Sequence, residues 1–111
     1  FLLEEKKGNF DQKYSNFLKS MKQDFFDIIL VDGKHRDITT RKSMKVLKSG
    51  GLLIIDNVNR YMLSTSRSPN SLKKTGKHLN GEWKRIEKDL KKWRCIWTSN
   101  GVTDTAIFFK P

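Results

Sequence analysis

Apolar residues along the chain fall into short runs, separated by stretches where apolar positions recur at helical spacing. Residues 25–31 and 52–55 are almost wholly apolar, a pattern typical of strands buried on both faces of a parallel sheet. The stretch between them predicts a helix over 37–48, with Asp37 as its N-cap and Gly50-Gly51 as its stop. Strand, helix and strand in this order predict a right-handed parallel crossover.

Two further helices and a C-terminal hairpin follow from the same pattern. Apolar side chains recur at helical spacing over 10–21 and again over 83–93, where the opposite face is basic. The pair Asn100-Gly101 separates two strand-like runs at 94–99 and 105–109, which is a strong hairpin signal. The last two strands are therefore expected to be antiparallel.

The size and composition of the chain indicate one α/β domain over residues 1–111. With 36% hydrophobic residues in 111, the chain can bury one core and has no room for a second. The polar, turn-forming segment 58–78 predicts a mobile loop or lid, because so long a connection is unusual inside a compact domain. No apolar run reaches the roughly 20 residues that cross a bilayer, so no membrane partner is expected. The one cysteine, Cys95, allows no internal disulfide and predicts a cytoplasmic protein.

The chain is strongly basic, with 23 Lys and Arg against 12 Asp and Glu and a net charge of +11. Such a balance suggests nucleic acid as a partner, because binding a phosphate backbone releases counterions. The positive charges are spread over nearly every segment, however, and the densest group is mixed with acidic residues. That group consists of Lys84, Arg85, Lys88, Lys91, Lys92 and Arg94 with Glu82, Glu87 and Asp89. A solvated helix surface explains it at least as well, so a basic nucleic-acid-binding module stays an alternative.

Candidate functional residues lie where the two apolar strands end. Asp32 follows the first strand, and Asp56 and Asn57 follow the second. Neighbouring parallel strands, about 4.8 Å apart, end at the same edge of a sheet, where open α/β sheets place ligands. Two carboxylates and an amide oxygen are hard ligands that suit Mg²⁺. The alternative is that Asp32 and Asp56 only cap the turns or helices that follow their strands.

Two basic side chains stand close to Asp32 in the sequence. Lys34 and His35 both follow it within three residues. Either is a candidate base for a substrate hydroxyl, because an imidazole titrates near neutrality and an amine is tuned by burial or a nearby charge. The alternative is that both are exposed loop residues.

These segments resemble part of a known enzyme family. FDIILVDGKH at 26–35 and VLKSGGLLIIDN at 46–57 are similar to the fourth and fifth strands of class I S-adenosylmethionine-dependent methyltransferases. The end of the chain, DTAIFFKP at 104–111, resembles the antiparallel seventh strand of the same family. The resemblance implies a Rossmann-like half-sheet, with parallel strands and a C-terminal antiparallel hairpin.

The cation-dependent O-methyltransferases of that family bind Mg²⁺ through an Asp after the fourth strand and an Asp-Asn pair after the fifth. These positions match Asp32, Asp56 and Asn57. The resemblance implies that the cation holds a substrate hydroxyl, whose oxygen attacks the methyl group of S-adenosylmethionine. It also places Asp32 and Gly33 on the cofactor side of the site.

The resemblance further suggests where the base and the acceptor lie. Family members often carry a basic Lys three residues after the first Asp, whereas here that position is His35 and Lys34 precedes it, so either residue is the base. Arg60 and Tyr61 fall where the family builds its acceptor pocket, and the acceptor is expected to be a small or sugar-like molecule with a hydroxyl.

Part of the family pattern has no counterpart in these 111 residues. The first strand with its Gly-rich cofactor loop and the acidic residue that ends the second strand are absent from the sequence. We therefore expect the C-terminal part of a longer methyltransferase, inactive alone, in which the missing half or a second copy covers the edge of the strand at 25–31. A non-catalytic interaction domain that kept only the fold is a further alternative.

Overall fold

The computed structural model describes residues 24–111 and the backbone of Leu2–Leu3. The helix predicted over 10–21 lies outside these residues. In chain order the elements are β1 (Leu2–Leu3), β2 (Phe26–Val31), α1 (Arg36–Val46), β3 (Leu47–Asp56), a 3₁₀ turn (Val58–Arg60), α2 (Gly81–Leu90), β4 (Arg94–Ser99) and β5 (Asp104–Phe109). Neither described helix is long and apolar enough to cross a membrane.

The strands form one mixed sheet in the order β1-β2-β3-β5-β4. The pairs β1–β2 and β2–β3 are parallel, and β5 is antiparallel to both of its neighbours, β3 and β4. The predicted parallel strand pair and the C-terminal hairpin are thus confirmed. Because β5 pairs with β3, the C-terminal hairpin of β4 and β5 extends the sheet beyond its parallel strands.

The strand β2 departs from the sequence-based expectation in two ways. We expected the edge of this strand to stay open unless a missing half or a second copy covered it. At Leu30 and Val31 that expectation is wrong, because both residues pair with β1. The strand is also not buried on both faces, because successive side chains point to opposite sides of a strand. Ile29 and Val31 join the core, whereas Ile28 is 46% exposed.

Helix α1 begins and ends earlier than predicted. Its N-cap is His35, in the left-handed region at φ 53°, and the predicted cap Asp37 instead lies in the first turn. The expected stop at Gly50-Gly51 is wrong, because both glycines belong to β3. The backbone of Lys110 holds them in the sheet: it accepts a hydrogen bond from Gly50 at 2.7 Å and donates one to Gly51 at 3.0 Å.

The core lies between the sheet and the two helices. Helix α2 starts at the N-cap Asn80, whose side chain accepts a hydrogen bond from the Trp83 backbone at 2.9 Å, and buries its apolar face as the periodicity predicts. The buried apolar residues are Ile29, Val31, Val46, Leu47, Leu53, Ile55, Val58, Met62, Trp83, Ile86, Leu90, Ala106 and Phe108. Helix α1 buries mostly polar side chains, including Thr39, Thr40 and Ser43.

The first part of the predicted lid is fastened to the sheet. Asn59, fully buried after β3, accepts a hydrogen bond from the Asp104 backbone at 3.1 Å and donates one to Ser71 at 2.9 Å. Its own carbonyl accepts from the Leu72 backbone at 2.9 Å. Residues 59–72 are therefore tied to the start of β5, while the mobility of the segment stays a prediction.

Candidate functional site

The polar residues that follow the two parallel strands meet at one edge of the sheet. The register pairs Val31 with Ile55, so the next residues along each strand, Asp32 and Asp56, emerge side by side. Parallel strands that end together in this way form the ligand-binding edge of open α/β sheets. The predicted convergence of Asp32, Asp56 and Asn57 is therefore observed at the level of the backbone.

A residue that the sequence analysis did not single out, Arg36, occupies the centre of this edge. Its guanidinium donates from Nη2 to Asp32 Oδ1 at 3.2 Å and from Nη1 and Nη2 to Asn57 Oδ1 at 3.4 Å. It also donates from Nη1 to the Asp56 carbonyl and from Nε to the Gly33 carbonyl at 2.6 Å. Arg36 is only 9% exposed. All three residues predicted to bind a metal thus contact one buried guanidinium.

The turn before α1 aims Arg36 into this position. Gly33 has a φ of 140°, which side chains rarely allow, and His35 adopts the left-handed conformation. The chain therefore reverses sharply, and the first residue of α1 reaches back over the strand ends. On the other side, the guanidinium lies over the ring of Tyr61, 5.0 Å from its centroid, and that ring packs against Trp83 with a centroid separation of 5.3 Å.

The Asp56 carboxylate accepts its hydrogen bonds from groups other than Arg36. Its Oδ1 accepts hydrogen bonds from the Asn57 backbone at 3.0 Å and from Thr105 Oγ1 on β5 at 3.1 Å. The Asn57 side chain donates to Thr103 from its nitrogen, while its oxygen faces Arg36. These contacts hold the Asp56 and Asn57 side chains to β5 and to Arg36.

This arrangement does not fit a divalent cation. A dication about 4 Å from a guanidinium would be repelled by roughly 8 kcal/mol at an effective dielectric constant of about 20. Arg36 already supplies the positive charge between Asp32 and Asn57. In the part of the chain that the structure describes, no group of three or more His, Cys, Asp or Glu side chains is placed to hold a metal.

The other predicted site residues surround this edge with different exposure. Lys34 and His35 are exposed in the turn between β2 and α1, and Arg60 is exposed in the 3₁₀ turn after β3. Tyr61 is half-buried beneath Arg36. The side chains of Lys34, His35 and Arg60 face solvent, whereas Tyr61 packs against the core.

A second polar centre lies under the segment 59–72, where Asp104 is 1% exposed. Its carboxylate accepts from Ser68 Oγ at 2.6 Å and from Trp97 Nε1 at 2.8 Å. Burial opposes its ionisation, but hydrogen bonds from Ser66, Ser68, Ser99 and Trp97 outweigh it and lower the pKa of Asp104 to about 2. The serine-rich sequence around Ser66 and Ser68, first interpreted as a polar loop, therefore solvates a buried carboxylate.

The acidic residues of α2 are all used in ion pairs within the domain. Arg41 of α1 donates to Glu82 and to Asp89, each at 2.8 Å, and Glu87 pairs with His78. Hydrogen bonds from Arg41 and then from Arg85 lower the pKa of Glu82. The lysines of this surface are exposed, and no described carboxylate lies within ion-pair distance of them; they are Lys84, Lys88 and Lys91. These lysines lie around Glu87, which is buried and paired with His78, so the exposed charges along this face are positive.

Comparison with known proteins supports the fold only. The sequence matches no protein-family model and no curated protein. Among solved structures, it is similar to the crystal structure of a possible exported protein from Bordetella parapertussis, with a TM-score of 0.52 and 11% sequence identity. The match covers 99% of this chain and 53% of that chain, so this chain spans about half of its length. At this identity the similarity shows a shared α/β fold.

Proposed function

We propose that this chain is part of an S-adenosylmethionine-dependent methyltransferase that acts on a hydroxyl of a small or sugar-like acceptor. The observation that carries the proposal is the placement of Asp32 and Asn57 at the carboxyl ends of two adjacent parallel strands. The sheet also runs from parallel strands into an antiparallel C-terminal hairpin. A Rossmann-like half-sheet of the class I enzymes implies both features.

The described residues fit one side of a site for S-adenosylmethionine. The Asp32 side chain is 43% exposed, and only its Oδ1 is engaged by Arg36, so Oδ2 is left to accept from a ligand hydroxyl or amino group. Gly33, the next residue, has no side chain, so only its backbone lies beside Asp32. The sequence contains no Gly-x-Gly loop, so we propose that the remainder of the cofactor site comes from the rest of a methyltransferase domain or from a second copy.

In the proposed reaction, the residues of this edge have separate roles. Bound S-adenosylmethionine supplies a sulfonium methyl group to an oxygen nucleophile. Lys34 or His35, exposed in the turn after β2, removes the proton from the acceptor hydroxyl. Arg60 and the edge of Tyr61 line the acceptor side. Mg²⁺ takes no part, because Arg36 lies between the residues that would bind it.

The proposed compartment is the cytoplasm. Cys95 is an unpaired, exposed cysteine on β4, the last strand of the sheet. An unpaired thiol suits a reducing environment, where it persists without forming disulfides between chains.

Calorimetric titration with S-adenosylmethionine tests the proposal. The titration is run on this chain and on a version extended upstream along its gene. We expect the extended protein to bind and the Asp32→Asn variant to bind about tenfold more weakly, since one charge-assisted hydrogen bond is lost.

Asp27→Asn is the matched control, because Asp27 lies at the opposite end of the same strand. Its side chain is 82% exposed, and among the described residues its ion-pair partner is Lys48, at 3.4 Å. Equal weakening by both variants, or an extended protein that does not bind the cofactor, would refute the proposal.

A second candidate function is nucleic-acid binding by α2. The observation that favours it is the internal pairing of Glu82, Glu87 and Asp89, which leaves the lysines of the outer face unneutralised. Lys84, Lys88 and Lys91 are spaced by four and three residues, so they lie along one face of the helix.

Anisotropy of a labelled oligonucleotide at several salt concentrations separates the two candidates. Changing these three lysines to Gln should reduce the slope of log K against log salt by about 2 to 3. The control is the same change at Lys42, Lys45 and Lys48. If neither the cofactor nor the oligonucleotide binds, the non-catalytic interaction domain is the remaining alternative.

A further inference from the structure

We infer that Arg36 takes the place of a divalent cation at the carboxyl edge of the sheet, so that this site is organised without a metal. The predicted ligands of such a cation are Asp32, Asp56 and Asn57. Arg36 contacts each of them, through the Asp32 carboxylate, the Asp56 carbonyl and the Asn57 amide oxygen. The guanidinium thus bridges two of the three predicted ligand oxygens, those of Asp32 and Asn57, and holds Asp56 through its backbone carbonyl.

The hydrogen bonds of Arg36 indicate that it is a positioning residue rather than one that binds substrate. A guanidinium has five N–H donors in a planar fork. Its Nε donor goes to Gly33, those of Nη1 go to Asp56 and Asn57, and those of Nη2 go to Asp32 and Asn57. No donor is left over for a ligand.

The residues around Arg36 hold its guanidinium in one position. The side chain is 9% exposed and lies over the ring of Tyr61, which packs on Trp83 of the core. Arginine is the side chain whose positive charge is not lost in proteins. The positive charge is therefore permanent, unlike that of a metal ion, which exchanges with solvent.

One consequence concerns Asp32, which serves two partners. Its Oδ1 accepts a hydrogen bond from Arg36, and this contact orients the carboxylate while Oδ2 stays available at the edge. A hydroxyl or amino donor of a ligand would meet an oxygen that is held in a fixed position. Arg36 therefore acts on a ligand through Asp32.

Titration with Mn²⁺, followed by electron paramagnetic resonance, tests the inference. The protein is titrated without cofactor or acceptor, so the result does not depend on methyl transfer. We expect no saturable binding by the wild type up to millimolar Mn²⁺. The variant Arg36→Met removes the charge, and we expect it to bind Mn²⁺ at least about tenfold more tightly, with the gain lost in Arg36→Met combined with Asp32→Asn.

A charge-conserving variant separates repulsion from hydrogen bonding. Arg36→Lys keeps the charge but loses the planar fork, so we expect it to unfold at lower temperature than the wild type and still to bind no Mn²⁺. Saturable wild-type binding that Asp32→Asn abolishes would overturn the inference, and so would equal Mn²⁺ affinity of the Met and Lys variants. If circular dichroism shows Arg36→Met to be unfolded, the wild-type titration decides alone.

Discussion

Replacing Asp104 by Asn isolates the contribution of a buried charge without changing the shape of the side chain. The carboxylate accepts from Ser68 and Trp97, at 2.6 and 2.8 Å, and is 1% exposed. In the variant, the amide oxygen can still accept from Trp97, which only donates. The amide nitrogen then faces Ser68, whose hydroxyl has to rotate to accept. Two charge-assisted bonds become neutral ones, a loss of about 1 to 3 kcal/mol.

The depressed pKa of Asp104 gives a second measure of the same effect. A fall from 3.8 to about 2 corresponds to roughly 2 to 3 kcal/mol of stability at neutral pH. Because the native pKa lies below the unfolded one, this stability is present above about pH 4 and is lost as the pH falls toward 2. About half of it remains at pH 3. The two estimates agree in size.

Urea unfolding of the wild type and of Asp104→Asn between pH 7 and pH 3 measures this contribution. The difference in free energy of unfolding should be roughly 2 to 3 kcal/mol at pH 7 and about half as large at pH 3. Asp27→Asn, on an exposed side chain, should change stability by less than about 0.5 kcal/mol. A difference for Asp104→Asn that does not shrink with falling pH would refute the reasoning, because a neutral substitution effect has no such dependence.

Three further outcomes follow from single contacts. Arg41→Met should cost about 1 to 2 kcal/mol in urea unfolding, because it removes the hydrogen bonds that Arg41 donates to Glu82, which keeps its bond from Arg85, and to Asp89. Asn80→Ala should cost about 1 kcal/mol in the same assay through loss of the α2 cap, and an unchanged midpoint would contradict the capping role. Cys95 is exposed as a residue but lines a cleft with Met62 and Trp93, and this partial desolvation raises the pKa of its thiol. Ellman's reagent should therefore modify it more slowly at pH 7 than a free cysteine, and a faster rate would contradict this.

The hydrophobic pattern predicted most of the sheet because its signals are local. The apolar runs at 25–31 and 52–55 and the Asn100-Gly101 turn each encode a strand or a turn by themselves, and the parallel pair and hairpin are confirmed. Boundaries that depend on tertiary contacts were predicted less well. Gly50 and Gly51 look like a helix stop, but hydrogen bonds to Lys110, 60 residues later in the chain, keep them in β3.

The chemistry at the strand ends could be predicted only in part. The positions of Asp32, Asp56 and Asn57 follow from the ends of two strands, which the sequence marks clearly. The role of Arg36 depends on the left-handed backbone of His35, which turns the side chain back toward β3. The sequence does contain a signal for this role, namely a basic residue four positions after Asp32 at the buried start of a helix. A count of charged residues assigns such a side chain to the surface instead.

The two polar centres also limit how the predicted lid can move. Its first part is held by Asn59 and by the bond of Ser68 to the buried Asp104, so lifting it would expose this carboxylate and remove two of its four donors, Ser66 and Ser68. The same cost does not apply to residues 74–79, whose described hydrogen bonds are the Gly76 backbone bond to Lys73 and the His78–Glu87 pair. We therefore expect a motion of the predicted lid to bend within 74–79 rather than within the serine-rich part.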